Sequence, residues 1–284
     1  MERLKSWFLS IYLMLATVAC FHLLIRLAQH WRIELFGALL ACAALPVFFL
    51  WLAVTRPART SAHLFGVTAL TWLGACLAVF GTLTSRAPLW WPVLYALPLG
   101  LGGFLLYLLW YSRLDRRAGI LQRLAPIPAI TLYDMAGRAV TSDSLTGQPV
   151  IWLFFRGSWC PLCVAQVEEM AALYRELESR GIRVVLASPQ PLEKTRALAH
   201  RLDVPLELLQ DRNGQAARAL GITHRYGVPL GLGLFGYGRH TAMPTVVVTD
   251  AEGDVIFVDQ TDNYRVRPEP QTFLKVLERD RARR

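Results

Sequence analysis

Four stretches without Lys, Arg, Asp or Glu set most of what this chain can fold into: Trp7–Ile25, Leu35–Thr55, Thr60–Ser85 and Ala87–Ser112. About 20 apolar residues carry a helix across a bilayer. Each stretch is long enough, so the N-terminal part reads as membrane helices over roughly 7–27, 33–55, 63–84 and 89–111. The first stretch could also suit a cleaved leader, with Arg3 and Lys5 ahead of it and Thr17-Val18-Ala19-Cys20 within it. The apolar run continues through Phe21, Leu23, Leu24 and Ile25, so it reads as a retained span. No interior Asp, Glu or Lys marks an ion or proton path. His22 and His63 near span ends, and the Trp90-Trp91-Tyr95 and Trp110-Tyr111 groups, read as interfacial. Cys20, Cys42 and Cys76 fall one in each of the first three spans and read as small hydrophobes rather than a thiol relay.

The net charge of +9 would suit a polyanion-binding protein, but its distribution argues otherwise. Residues 1–123 hold 11 Lys/Arg against 3 Asp/Glu, and residues 124–284 hold 19 against 18. The excess lies beside the apolar stretches, where it sets orientation, and no nucleic-acid partner is implied. Arg3, Lys5, Arg56, Arg59, Arg113, Arg116, Arg117 and Arg123 lie on one side, against Arg26, Arg32 and Arg86 on the other. Positive residues stay inside, which predicts a multi-pass protein of the cell (inner) membrane with both termini cytoplasmic. The alternative places the C-terminal part on the periplasmic, extracytoplasmic face.

The domain boundary is expected at 120/121, with a four-helix membrane domain over 1–120 and a soluble domain over 121–284. Pro126 and Pro128 stiffen the connector between them. Beyond it, short strands alternate with helices. The run 130–140 reads as a hairpin and 150–155 as a strand covered on both faces, followed by one helix over 161–180. A strand at 183–188, a helix at 191–202, a strand at 206–209 and a helix at 215–220 follow. The chain then runs through a glycine-rich loop, 227–238, a hairpin around Asp250–Asp254 and a last helix from Pro270. The fold class is therefore α/β, a mixed sheet flanked by helices behind an all-α transmembrane domain.

The remaining two cysteines stand in GSWCPLC, residues 157–163, between the apolar strand and the long helix. They could form a redox dithiol, half of a zinc site or a peroxide-reducing centre. A helix N-terminus and a C-x-x-C setting lower a thiol pKa from about 8.5. Cys160 lies before the helix and Pro161 in its first turn, where proline loses no hydrogen bond. Cys163, one turn on, can attack a mixed disulfide at Cys160. Structural zinc wants four ligands, and only His224 and His240 are at hand to join the two thiols, at no finger-like spacing. No metal is expected. Gly231–Gly236 spells G-x-G-x-x-G without a strand before it or a helix after it, so no cofactor is expected either.

In this setting the motif resembles the thioredoxin superfamily, and within it the peroxiredoxin-like alkyl hydroperoxide reductase/thiol-specific antioxidant family. The resemblance runs through SDSLTGQPVIWLFFRGSWCPLC, LLQDRNGQAARALGI and MPTVVVTDAEGDVIF, spanning 143–257. TDNYRVRPEPQTFLKVL fits the closing helix, and nothing in 1–120 shares the likeness. It implies a thioredoxin-like fold, Cys160 attacking and Cys163 resolving. It also implies a cis Pro244 after Met243 that shapes the docking surface, with Trp159 and Pro161 completing the site. Two features of the family are missing. Position 157, three before Cys160, is glycine rather than a hydroxyl residue, and Met243-Pro244 stands where an arginine would open the later strand. Arg156 and Arg239 read as surface arginines. The expected function is thus a membrane-anchored thiol–disulfide oxidoreductase, with hydroperoxide reduction as the alternative and a non-catalytic scaffold as a third reading. Its partners would be a disulfide or thiol substrate, a thioredoxin-like reductant and the lipid bilayer.

Overall fold

A computed structural model describes residues 2–116, 120–121, 123, 125–202 and 204–282. Contacts divide the chain into two units. One contains Arg3–Thr55 and Thr60–Arg113, the other Arg56–Arg59 and Leu114–Arg284.

The first unit holds four helices long and apolar enough to cross a membrane: α1 (Glu2–Gln29), α2 (Ile33–Thr55), α3 (Phe65–Thr84) and α4 (Trp91–Tyr111). Their outward faces keep Val18, Phe21, Leu50, Val54, Phe80 and Leu83 exposed, as lipid-facing helices do. Small residues bring α2 and α3 together. A Cβ on Gly37 would lie 2.3 Å from the Ala78 amide nitrogen, and one on Gly74 would lie 2.5 Å from that of Ala41. Gly37–Ala41 and Gly74–Ala78 are thus facing small-xxx-small pairs that let two backbones touch. Helix α4 winds partly as π-helix, over Tyr95–Gly102 and Tyr107–Tyr111. Pro98, which has no N–H to donate, sits inside the first of these turns.

The second unit is built on a seven-stranded sheet of order β2-β1-β5-β4-β3-β8-β9. Its strands are β1 (Thr131–Tyr133), β2 (Ala139–Thr141), β3 (Val150–Phe154), β4 (Arg183–Ser188), β5 (Glu207–Gln210), β8 (Thr245–Thr249) and β9 (Val255–Asp259). A two-stranded ribbon, β6 (Thr223–His224) with β7 (Thr241–Ala242), stands apart from it. Strand β3 is the centre, parallel to β4 and antiparallel to β8, and all five of its residues are buried. A sheet covered on both faces needs such a strand, which is why 150–155 carries no polar alternation. The parallel β3–β4–β5 core followed by the β8–β9 hairpin is the thioredoxin-like arrangement expected.

The helices depart from expectation in one place. The single helix expected over 161–180 is two, α5 (Pro161–Ala172) and α6 (Tyr174–Ser179), broken at Leu173. The others are α7 (Leu192–Ala199), α8 (Gln215–Ala219) and α9 (Pro270–Arg281). Phe273 of α9 packs edge-on against Phe257 of β9, with ring centroids 6.1 Å apart.

Candidate active site

Strand β3 ends at Phe154, and the chain turns through 155–159 into α5. Gly157 has φ +139°, a conformation open to glycine, and a Cβ there would lie 2.9 Å from the Trp159 indole. A hydroxyl side chain at 157 would be strained by this backbone conformation and would crowd the Trp159 ring. Cys160 caps α5 and Pro161 opens it. Both thiols are reduced and buried, Cys160 with 3% of its surface exposed and Cys163 with none.

The charge around the pair lies on Cys163. Its sulfur accepts from Nη2 of Arg267 at 3.2 Å and from the backbone N–H of Arg156 at 3.4 Å. Arg267 is itself buried. Its Nε donates to the Tyr264 carbonyl at 3.2 Å, and its Nη1 to Gln166 Oε1 at 2.6 Å and the Leu162 carbonyl at 3.3 Å. Burial raises the Cys163 thiol, but the Cys160 hydrogen bond, the Arg267 charge and bond, and the Arg156 N–H outweigh it and draw Cys163 well below the ordinary thiol range. Cys160 moves the opposite way. Its hydrogen bond to Cys163 raises it, burial and the neighbouring negative charge add to this, and Arg267 and Arg156 offset only part. The Cys160 sulfur makes no hydrogen bond as a cap to α5. Burial works against the Arg267 charge, and the two sulfurs more than compensate.

Arg156, read from the sequence as a surface residue, is 3% exposed. Its guanidinium lies between the Trp159 and Tyr264 rings, 4.7 and 4.9 Å from their centroids. It also donates to the Gly227 carbonyl at the start of the glycine-rich loop. Arg239 is exposed, as expected. Trp159 is half-buried, and its indole N–H has no hydrogen-bond partner among the described residues. Met243 is buried and donates its N–H to the Ile222 carbonyl at 2.7 Å. The register pairs Thr245 with Phe154, which sets Pro244 beside the loop leaving β3. The expected cis bond is absent: Met243–Pro244 is trans. Backbone pairing on both sides, to Ile222 and to Phe154, holds this segment extended. His224 and His240 do not join the thiols. His224 pairs with Thr241 in the ribbon, and His240 Nδ1 accepts from the Tyr226 N–H at 3.1 Å. Among the described residues no three His, Cys, Asp or Glu gather as metal ligands would.

The AhpC/TSA family model matches residues 124–258. This segment is an AhpC/TSA domain. Chloroplastic peroxiredoxin Q of Sedum lineare is 28% identical over 95 residues, 34% of this chain and 51% of the relative. That of Triticum aestivum is 25% identical over 95 residues, 34% and 44% of the two chains. The chain thus spans about half the length of the curated relatives it matches. Among solved structures, peroxidoxin BcpB from Mycobacterium tuberculosis aligns with 58% of this chain and 99% of its own, at 22% identity and a TM-score of 0.44.

Arg267 lies beyond the matched AhpC/TSA segment, in the link between β9 and α9. Sequence reasoning missed it, together with Tyr264 and Gln166. The available signal was Tyr264-Arg-Val-Arg267, two arginines two residues apart just ahead of Pro268 and Pro270. Arginine is so commonly exposed that spacing alone gives no reason to turn it inward.

Proposed function

We propose that the AhpC/TSA domain is a thiol peroxidase that uses Cys163 as its attacking thiolate and Cys160 as its resolving thiol. The observation that carries this reading is the Arg267 guanidinium on the Cys163 sulfur. Positions 157 and 243–244 lack the two polarising groups of the family. The cation in this site comes from the far end of the domain instead, and the thiolate it favours is the second of the pair. The Cys163 thiolate attacks the distal peroxide oxygen, the O–O bond breaks, and the alkoxide leaves with a proton as the alcohol. The Cys163 sulfenic acid then condenses with the Cys160 thiol, releasing water and forming the disulfide. One dithiol is oxidised and one hydroperoxide reduced. Trp159, next to Cys160 in the chain, carries a buried indole N–H without a partner among the described residues. The C-x-x-C spacing favours thiol–disulfide exchange as the second half-reaction, in which an external thiol returns the electrons.

The test uses the full chain in detergent micelles. With dithiothreitol as reductant, hydrogen peroxide and cumene hydroperoxide are consumed, and Cys163→Ser abolishes turnover. In Cys160→Ser, dimedone traps a sulfenic acid at Cys163. Sulfenic acid at Cys160 in Cys163→Ser would restore the opposite order of roles. Neither thiol reacting, with fast reduction of a disulfide substrate, would leave exchange as the function.

We further propose that the domain faces the cytoplasm, on the excess of basic residues flanking the spans on that side.

A further inference from the structure

We propose that the arginine-lined cleft beside the dithiol loop binds the electron donor, a small thiol carrying two or more anionic groups. The proposal rests on the peroxidase cycle above for its place in turnover, while the site stands on its own geometry. The cleft measures about 890 Å³, within the range of small-molecule sites. Arg212, Arg218, Arg225, Arg239 and His240 line it, and no Asp or Glu is among its lining residues. Residues 124–284 hold almost as many acidic as basic residues, so four arginines lining one cleft, with only Asp211 near Arg218 as a counter-charge, mark a local concentration.

Two of these arginines are already engaged. Arg212 stacks on the Tyr133 ring at 3.8 Å, and Arg218 donates to the Asn213 carbonyl. The Arg225 and Arg239 side chains are exposed and have no protein partner among the described residues. Thr223 also lines the cleft, and its hydroxyl is buried without a hydrogen-bond partner. With Nδ1 of His240 accepting the Tyr226 N–H, its Nε2 is left to carry a proton. The cleft therefore offers guanidinium forks, a hydroxyl and an imidazole donor, a set that suits carboxylates.

Two walls of the cleft join it to the thiols. Pro189 and Pro191 flank Gln190, whose Oε1 accepts the Ser158 N–H at 2.8 Å, two residues before Cys160. Thr241, on the other wall, donates its hydroxyl to the Arg156 carbonyl. A ligand held by Arg225 and Arg239 thus lies against the residues that fix the dithiol loop.

The exchange it would perform is directional. The donor thiolate attacks the Cys160 sulfur of the disulfide, the more exposed of the two. The S–S bond breaks, and its electron pair leaves on Cys163, where Arg267 receives the charge. A lower-pKa thiol is the better leaving group. A second donor thiolate then attacks the donor sulfur of the mixed disulfide, and Cys160 departs and takes a proton. Two donor thiols become one donor disulfide, and the protein dithiol is restored.

The probes are glutathione, which carries two carboxylates, its unreactive S-methyl derivative, and neutral dithiothreitol. Calorimetry on the full chain in dodecyl maltoside is expected to give saturable one-site binding of S-methylglutathione. In Arg225→Gln/Arg239→Gln this binding weakens by about tenfold or more. After oxidation of the dithiol with diamide, the same variant slows reduction by glutathione and leaves reduction by dithiothreitol unchanged. Neither measurement involves a peroxide, so loss of peroxidase activity would sink the earlier reading and not this one. The proposal is overturned by an absence of saturable binding, by binding indifferent to the two arginines, or by equal slowing with both reductants. Slowing confined to a thioredoxin-like protein donor would also overturn it.

Discussion

Arg267→Met removes the cation at Cys163 and keeps an unbranched side chain in the buried space. The ultraviolet absorbance of the thiolate should then titrate at higher pH than in the parent chain, with Arg267→Lys between the two. The sign follows from the lowered Cys163 pKa: its thiolate persists to lower pH than an ordinary thiol's and is lost as pH falls through the lowered value. The thiolate absorbance of Cys163 should therefore rise less between about pH 6.5 and 8 than that of an ordinary thiol with a pKa of about 8.5, which gains more than about tenfold. In Arg267→Met the ordinary rise returns. At Gly157 the expected effect is on stability. Serine there meets both φ +139° and the Trp159 ring, and should destabilise the soluble domain by about 1–3 kcal/mol, read as a lower unfolding temperature. Residue by residue, the sequence was most informative where chemistry and position coincide. Cys160, Pro161 and Cys163 fall where strand, loop and helix place them. It was silent on Arg156 and Arg267, because burial of an arginine depends on partners distant in the chain.

The elements were legible in proportion to their hydrophobic patterning. Strand β3 and the β8–β9 hairpin carry continuous β-branched and aromatic runs, and the expected spans match α2 closely and the other three within a few residues at most ends. The break at Leu173 left no such trace, since its neighbours are as compatible with one helix as with two. Helix pairing was also invisible in hydropathy, which scores glycine and alanine alike as filler. In α2 and α3 those residues let the backbones touch. Gly74→Leu should push the two helices apart and lower the temperature at which the detergent-solubilised chain aggregates, while Gly66→Leu, with open space around its Cβ position, should leave it unchanged.

For the molecule as a whole, orientation is the quantity to measure, and the burial of both thiols makes them poor reporters. Leu234, at the tip of the glycine-rich loop, is 90% exposed and serves better. In intact cells, Leu234→Cys should resist a membrane-impermeant maleimide and become labelled after lysis. Labelling from outside would put the domain in the extracytoplasmic space. The C-terminal segment also matters at this scale. A chain ended after Val258 would keep both cysteines and the matched domain, yet lose Arg267 and the α9 contact with Phe257. Recognition of the domain and its working chemistry thus have different outlines. Two relatives with the same CPLC loop will differ in reactivity if their segments C-terminal to β9 differ. This tail gives evolution a place to retune the thiols without altering either of them.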